Sequence, residues 1–163
     1  RYAGTWYELS NTHFIYDIGC TCTTARYEVL SESTISVYNA CYRFFPRGPL
    51  STISGVGEVP NLSEPGKLLV SFEGFPAEAD YWIIDLVEDP WNPEGPYNFA
   101  AISEPAGEFI YVLHRKPTLE TQVDFEAFNA LLDRLAAQGL PVDELRLTPQ
   151  LRTCDYDGQL LDR

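Results

Sequence analysis

Between Gly4 and His114 apolar and polar side chains alternate with a period close to two, in runs broken by Pro, Gly, Ser and Asn about every ten residues. Extended strands put successive side chains on opposite faces, so a stretch with this rhythm is committed to β-structure. The runs are Gly4 to Leu9, Thr23 to Leu30, Thr34 to Phe44, Leu50 to Val59, Leu68 to Phe72, Asp80 to Leu86, Tyr97 to Ser103 and Glu108 to His114. Eight strands in succession, joined mostly by short connections, form an antiparallel up-and-down series. A series of that number closes into a barrel whose lumen can hold one small ligand, whereas an open sandwich would leave two edges to protect.

The alternation also assigns faces. In the second run Ala25, Tyr27 and Val29 point inward, with Arg26 and Glu28 toward water. In the third, the apolar Ile35 and Val37 define the interior and carry Asn39 and Cys41 with them. Gly55 and Gly57 favour a sharp bend in the fourth, of the kind a closing barrel needs. Leu68, Val70 and Phe72 face in from the fifth, while Phe109, Tyr111, Leu113 and Arg115 share one side of the eighth. Two connections stand out. Asn11 to Gly19 contains Phe14, Ile15 and Tyr16, apolar enough either to fold over an opening as a lid or to pack down as a satellite cluster. The acidic, proline-rich stretch Glu88 to Pro96 is expected to be irregular.

After Pro117 the period changes to that of a helix. Thr118 or Thr121 can cap it, Val123, Phe125, Phe128, Leu131, Leu132 and Leu135 supply an apolar stripe, and Gly139-Leu140-Pro141 stops it. One helix with a single apolar stripe packs on the outside of the barrel. A short strand, Leu145 to Leu147, and a tail with Cys154 complete the chain. With 163 residues this reads as a single domain, the barrel over about 4–115, the helix over about 119–138 and the last strand and tail over about 145–163.

Eleven Lys and Arg against twenty-four Asp and Glu give a formal charge of −13, which repels phosphate backbones and makes nucleic acid an unsuitable partner. No apolar run approaches the ~20 residues a spanning helix needs. No basic-then-apolar leader opens the sequence, so an exported form would already have lost its signal. The cysteines Cys20, Cys22, Cys41 and Cys154 are even in number, and Cys20-Thr21-Cys22 is too tight for a zinc or redox CxxC pair. Two disulfides in an oxidising compartment account for them better than four reduced thiols.

Near the start, Gly4 allows close backbone approach, Trp6 offers a flat face, and far downstream Arg115 carries a planar cation suited to stacking on it. Gly4-Thr5-Trp6-Tyr7, with Arg115 in Leu113-His114-Arg115-Lys116-Pro117, resembles the first and last signatures of the lipocalins. Cys22-Thr-Thr-Ala-Arg-Tyr27, Pro60-Asn-Leu-Ser-Glu-Pro-Gly-Lys-Leu68, Tyr81-Trp-Ile-Ile84 and Leu147-Thr-Pro-Gln150 resemble the apolipoprotein D and bacterial lipocalin branch. The likeness covers nearly the whole chain. It departs at the middle signature, a Thr-Asp-Tyr-like turn replaced here by Leu86-Val87-Glu88-Asp89-Pro90. The resemblance implies a Cys22–Cys154 bridge, which leaves Cys20 for Cys41. The swapped pairing, Cys20 with Cys154 and Cys22 with Cys41, is equally compatible with the spacing.

Tyr27, Val29, Val37, Asn39, Val70, Phe72, Phe99 and Tyr111 are the candidate lumen residues, with Phe14 and Tyr16 contributed by the first loop. Singly, each could be ordinary core; the resemblance implies that together they line a calyx. Apolar walls with few polar groups suit a small hydrophobic molecule. The resulting expectation is a secreted carrier, extracellular or periplasmic, for a lipid, fatty acid, retinoid, carotenoid or tetrapyrrole. No catalytic residue, metal site or resident cofactor is assigned: His13 and His114, the only histidines, sit in no recognised motif. Two rivals have their own markers. A free Cys41 would give a lumenal thiol for isomerase-like chemistry or for anchoring a bilin. Exposed aromatics around Phe14 and Trp91 would instead suit a protein-binding module, with a protein receptor or a second copy of the chain as partner. Asn61-Leu62-Ser63 matches an N-glycosylation acceptor, meaningful only in a eukaryotic secretory host.

Overall fold

A computed structural model gives the architecture, and it describes residues 1–12 and 18–160. Phe14, Tyr16 and His13 lie outside the described residues. The strands are β1 (Gly4–Thr12), β2 (Cys20–Val29), β3 (Thr34–Arg43), β4 (Leu50–Glu58), β5 (Lys67–Phe72), β6 (Glu78–Asp89), β7 (Asn92–Ser103) and β8 (Tyr111–His114). Each pairs antiparallel with its neighbour, and β1 bonds both β8 and β2, so the eight close into a barrel. A ninth strand, β9 (Leu145–Leu147), adds to the outer part of β1 through Ser10↔Leu147 and Thr12↔Leu145. Pairing with β8 on one side and β9 on the other carries β1 three residues beyond Leu9.

Closure needs close approach at one seam. A side chain on Gly55 would bring a Cβ within 2.4 Å of the Ser71 carbonyl oxygen, so only glycine lets β4 cross β5 there, with Phe72 paired opposite. A second device sits in β2, where Cys22 takes φ 57° and the register slips between Thr21 and Thr24. This bulge turns the Cys22 peptide out of the ladder. Its N–H then donates to Pro149 O at 2.8 Å and its carbonyl accepts from Gln159 Nε2 at 2.7 Å, while Cys22 bonds Cys154. Gln150 Nε2 donates to Glu8 O and Thr23 O, so the tail is sewn to the wall by backbone groups as well as by sulfur.

The helix α1 (Gln122–Ala137) is capped by Thr121, whose hydroxyl accepts from Asp124 N–H while the Asp124 carboxylate accepts from Thr121 N–H, both at 3.1 Å. Phe128, Leu131, Leu132 and Leu135 pack on the barrel beside Leu9, Phe99, Ala101, Ile110 and Val112. Val123 and Phe125, expected in the same stripe, are exposed, and it is Asp124 of the first turn that is buried. Arg134 fixes the other end through a two-pronged bridge to Asp85, at 2.8 and 2.9 Å.

Three further expectations are corrected. Glu88 to Pro96 is a bulged hairpin and not an irregular loop: β6 and β7 run into it, Asp89 pairs with Asn92 and Pro90-Trp91 turn, the Asp89 carboxylate accepting from Trp91 N–H at 2.9 Å. The prolines are tolerated because residues 93–96 form a bulge with no ladder partner, and a bulge asks no N–H of them. Arg1 holds it, its guanidinium donating to Pro93 O and to Gly95 O while stacking over Tyr97. Phe99 points away from the lumen, under α1, where it stacks on His114 with centroids 4.2 Å apart. β7 is apolar on both faces, so alternation alone does not tell which one is the lumen. Val29 follows Tyr27 in phase but is 68% exposed, because it lies past the last residues that cover the closed end.

Candidate ligand-binding cavity

The barrel is hollow. A cavity of about 450 Å³ opens at the end where β1 meets β2 and β7 meets β8. Ala25, Tyr27, Val37, Phe72, Ile102, Tyr111 and Leu113 give it an apolar and aromatic wall, with Thr23, Thr24, Asn39 and Ser103 as polar points. Of the sequence candidates, Tyr27, Val37, Asn39, Phe72 and Tyr111 are brought together around this space. Val70 is buried in the same inner cluster without lining the opening. Val29 and Phe99 are not part of it.

The floor is a tyrosine chain. The Tyr81 hydroxyl bonds the Tyr27 hydroxyl at 2.8 Å and the Tyr2 hydroxyl at 2.5 Å. Burial pushes the Tyr27 phenol up to about 12 and raises Tyr2 and Tyr81 well above the usual phenol range, so all three stay neutral in physiological conditions. Tyr2 rests against Trp6, whose indole N–H donates to Tyr2 O at 2.8 Å. Under Trp6 lies Arg115. Its guanidinium donates to the carbonyls of Tyr97, Thr5, Arg1, Tyr2 and Ala3, closing the bottom of the barrel with backbone already at hand. Desolvation lowers its pKa to about 10, which leaves it charged.

Among the described residues the charged groups of the cavity are all acidic. Asp80, Glu104 and Glu108 stand around the mouth, and Glu8 lies deeper, 5% exposed, accepting from Asn11 Nδ2 at 2.6 Å and from the Thr148 hydroxyl. The Glu104 carboxylate also shapes the β7–β8 loop by accepting from the N–H groups of Ala106, Glu108 and Phe109. That local turn is why β8 starts at Tyr111 rather than Glu108.

Both disulfides are formed, Cys20–Cys41 and Cys22–Cys154, as the resemblance implied. The first fastens the start of β2 to β3 beside the mouth, and Cys41 carries no free thiol. Among the described residues no cluster of His, Cys, Asp and Glu has the arrangement of a metal site. His114 is fully buried beneath α1, outside the lumen. Trp91 is 85% exposed at the β6–β7 hairpin, the end opposite the cavity mouth, and Phe14 lies outside the described residues.

Sequence reasoning missed Tyr2, Glu8 and Tyr81. Glu8 was within reach, since it lies two residues past the inward Trp6 on the same face. Tyr81 was not, because Tyr81-Trp82-Ile83-Ile84 is apolar without interruption and has no readable phase.

A closed antiparallel barrel with a hollow interior, an arginine-locked base and one external helix defines the class of small-molecule-binding barrels. The profile of the Lipocalin-like domain matches residues 1–150, and the chain belongs to that family. It is 28% identical over 157 residues to apolipoprotein D of Mus musculus, covering 96% of this chain and 78% of that one. Against the outer membrane lipoprotein Blc of Vibrio cholerae it is 33% identical over 120 residues, 74% of this chain and 66% of the relative. Among solved structures, lobster apocrustacyanin A1 superimposes with a TM-score of 0.69 at 19% identity, covering 98% of this chain and 83% of that one. Insecticyanin of Manduca sexta gives 0.67 at 17%, over 95% and 82%.

Proposed function

We propose that this protein binds a small hydrophobic molecule in the barrel lumen and carries it through an extracellular or periplasmic space. The observation that supports this most is the cavity of about 450 Å³ with its apolar, aromatic wall, left open by the described residues of the barrel. Tyr27, Val37, Asn39, Phe72 and Tyr111 are the contacts proposed from the sequence, and Ala25, Tyr81, Ile102 and Leu113 join them. Burying ~200 Å² of apolar ligand surface would contribute ~5 kcal/mol before ordering costs. Two disulfides fit an oxidising compartment. The name of one relative, an apolipoprotein, is in keeping with lipid-like cargo.

We read the protein as a binder and not as an enzyme. The thiol that isomerase-like chemistry or covalent bilin attachment would have used is spent in Cys20–Cys41. A module that acts only through its loops would have no use for an open lumen. Mass spectrometry of an organic extract of protein from its native source tests the reading. One dominant apolar species near one equivalent is expected. An extract without any apolar species, from a protein that also takes up no apolar dye, would contradict it.

A further inference from the structure

We propose that the tyrosine floor of the cavity donates a hydrogen bond to a neutral carbonyl oxygen, so that the cargo is an apolar carbonyl compound bound carbonyl-first. The inference rests on the carrier reading and names the group at the buried end of its ligand. A phenol hydroxyl has one proton to donate and lone pairs to accept with. Tyr2, Tyr27 and Tyr81 therefore hold three protons, and the two bonds that join them, at 2.5 and 2.8 Å, use two. Among the described residues no other hydrogen-bond partner meets these hydroxyls, so one proton is left over. The order of donation decides where it sits. When Tyr2 donates to Tyr81 and Tyr81 to Tyr27, the spare proton is on Tyr27; when both neighbours donate to Tyr81, it is on Tyr81. Both of these residues line the lumen. The reverse order leaves the proton on Tyr2, which is not part of the lining, and an acceptor at the floor selects the other two. Each bond in such a chain polarises the next, which strengthens the terminal donor. Ala25, Val37, Phe72 and Leu113 offer apolar surface to the rest of the molecule. The floor also selects for neutrality. Arg115 draws the Tyr2 phenol toward ionisation, but burial outweighs it, and all three phenols stay neutral. A ligand carboxylate at the same depth meets the same penalty with one donor for its several lone pairs, whereas a carbonyl oxygen asks for only one.

The test uses three naphthalenes substituted at the same ring carbon, the acetyl ketone, the ethyl hydrocarbon and the carboxylate, each displacing the neutral dye Nile red from the whole protein near neutral pH. In Tyr27→Phe/Tyr81→Phe, which removes both lumenal hydroxyls of the chain, the ketone-to-hydrocarbon affinity ratio is expected to fall about fivefold, with the hydrocarbon bound no more weakly. In the wild type the carbonyl stretch of the bound ketone, read by infrared difference spectroscopy, should lie below its value in dry hexane, a reading that needs no variant to fold. A stretch at the hexane value, a ratio that the double variant leaves intact, or naphthoate binding more tightly than the ketone would overturn the proposal while the carrier reading stands. Failure of the dye and all three naphthalenes to bind would remove both.

Discussion

The guanidinium carbon of Arg115 lies 3.7 Å above the centre of the Trp6 ring, joining the last strand of the barrel to the first. The two residues are separated by more than a hundred positions in sequence, and their contact shuts one end of the cavity. Gly4, at φ 106°, is needed there, since a Cβ on it would come within 3.3 Å of Arg115 Nη1.

Arg115→Ala removes the stack and leaves backbone carbonyls at the base without donors. We expect a loss of about 2–4 kcal/mol, read as a lower urea midpoint at unchanged slope. Arg115→Lys keeps the charge but not the planar fork, and should recover less than half of that loss.

The disulfides differ in the loop they close. Cys22–Cys154 spans 132 positions and Cys20–Cys41 spans 21. Chain entropy then makes the Cys22→Ala/Cys154→Ala variant the less stable of the two, by roughly 5 kcal/mol from wild type against roughly 3 for Cys20→Ala/Cys41→Ala. Thermal unfolding of the two variants checks the order, and alkylation of native protein should find no reactive thiol.

His114 predicts a pH dependence. Its Nδ1 donates to Lys116 O at 3.0 Å, Nε2 is buried without a partner, and Asp124 Oδ1 is 4.0 Å away. Burial lowers its pKa below 6.5, outweighing the hydrogen bond to the Lys116 carbonyl and the acidic Asp124 and Glu120, which raise it. A folded pKa below the unfolded one means that the unfolded chain binds the extra proton first. The contribution of this residue is therefore complete above pH 6.5 and is lost as pH falls from there toward the depressed folded value. His114→Phe should flatten the fall in Tm over that window, whatever its constant offset. A fall of undiminished steepness would show that His114 is not its source.

Phe99 and Phe72 separate structure from binding. Phe99→Ala opens a hole under α1 beside His114 and Phe128 and should cost about 3–5 kcal/mol without altering dye affinity. Phe72→Ala, in the cavity wall, should weaken dye binding several-fold. Paired denaturation and dye titration on each variant decide it.

Much of this was legible because a barrel strand with one face on water and one on the interior leaves a clean alternation, as Ala25, Arg26 and Tyr27 do. Where a strand is covered on both sides the signal vanishes: β7 buries Ala100 and Ile102 inside and Phe99 and Ala101 under the helix, so Phe99 was placed on the wrong face. Val29 shows the complementary limit, since alternation gives a direction but not whether anything lies there to cover the side chain. The Cys22 bulge had no local marker, because its positive φ is held by the tail more than a hundred residues away. The residues 88–96 misled for a different reason: turn-forming side chains are also what a bulged hairpin uses. The acidic character of the lumen depended on Glu8, which is polar and yet inward, against the rule that polar residues of a strand face water.

The hollow lumen itself is tested most directly by titrating the protein with Nile red and comparing wild type with Ala79→Trp, a substitution at an exposed position in the cavity wall on β6. The account predicts saturation at one dye per chain in the wild type, about tenfold weaker binding in Ala79→Trp and the same Tm for both. Dye binding that the added indole leaves untouched, or no saturable binding in the wild type, would contradict it.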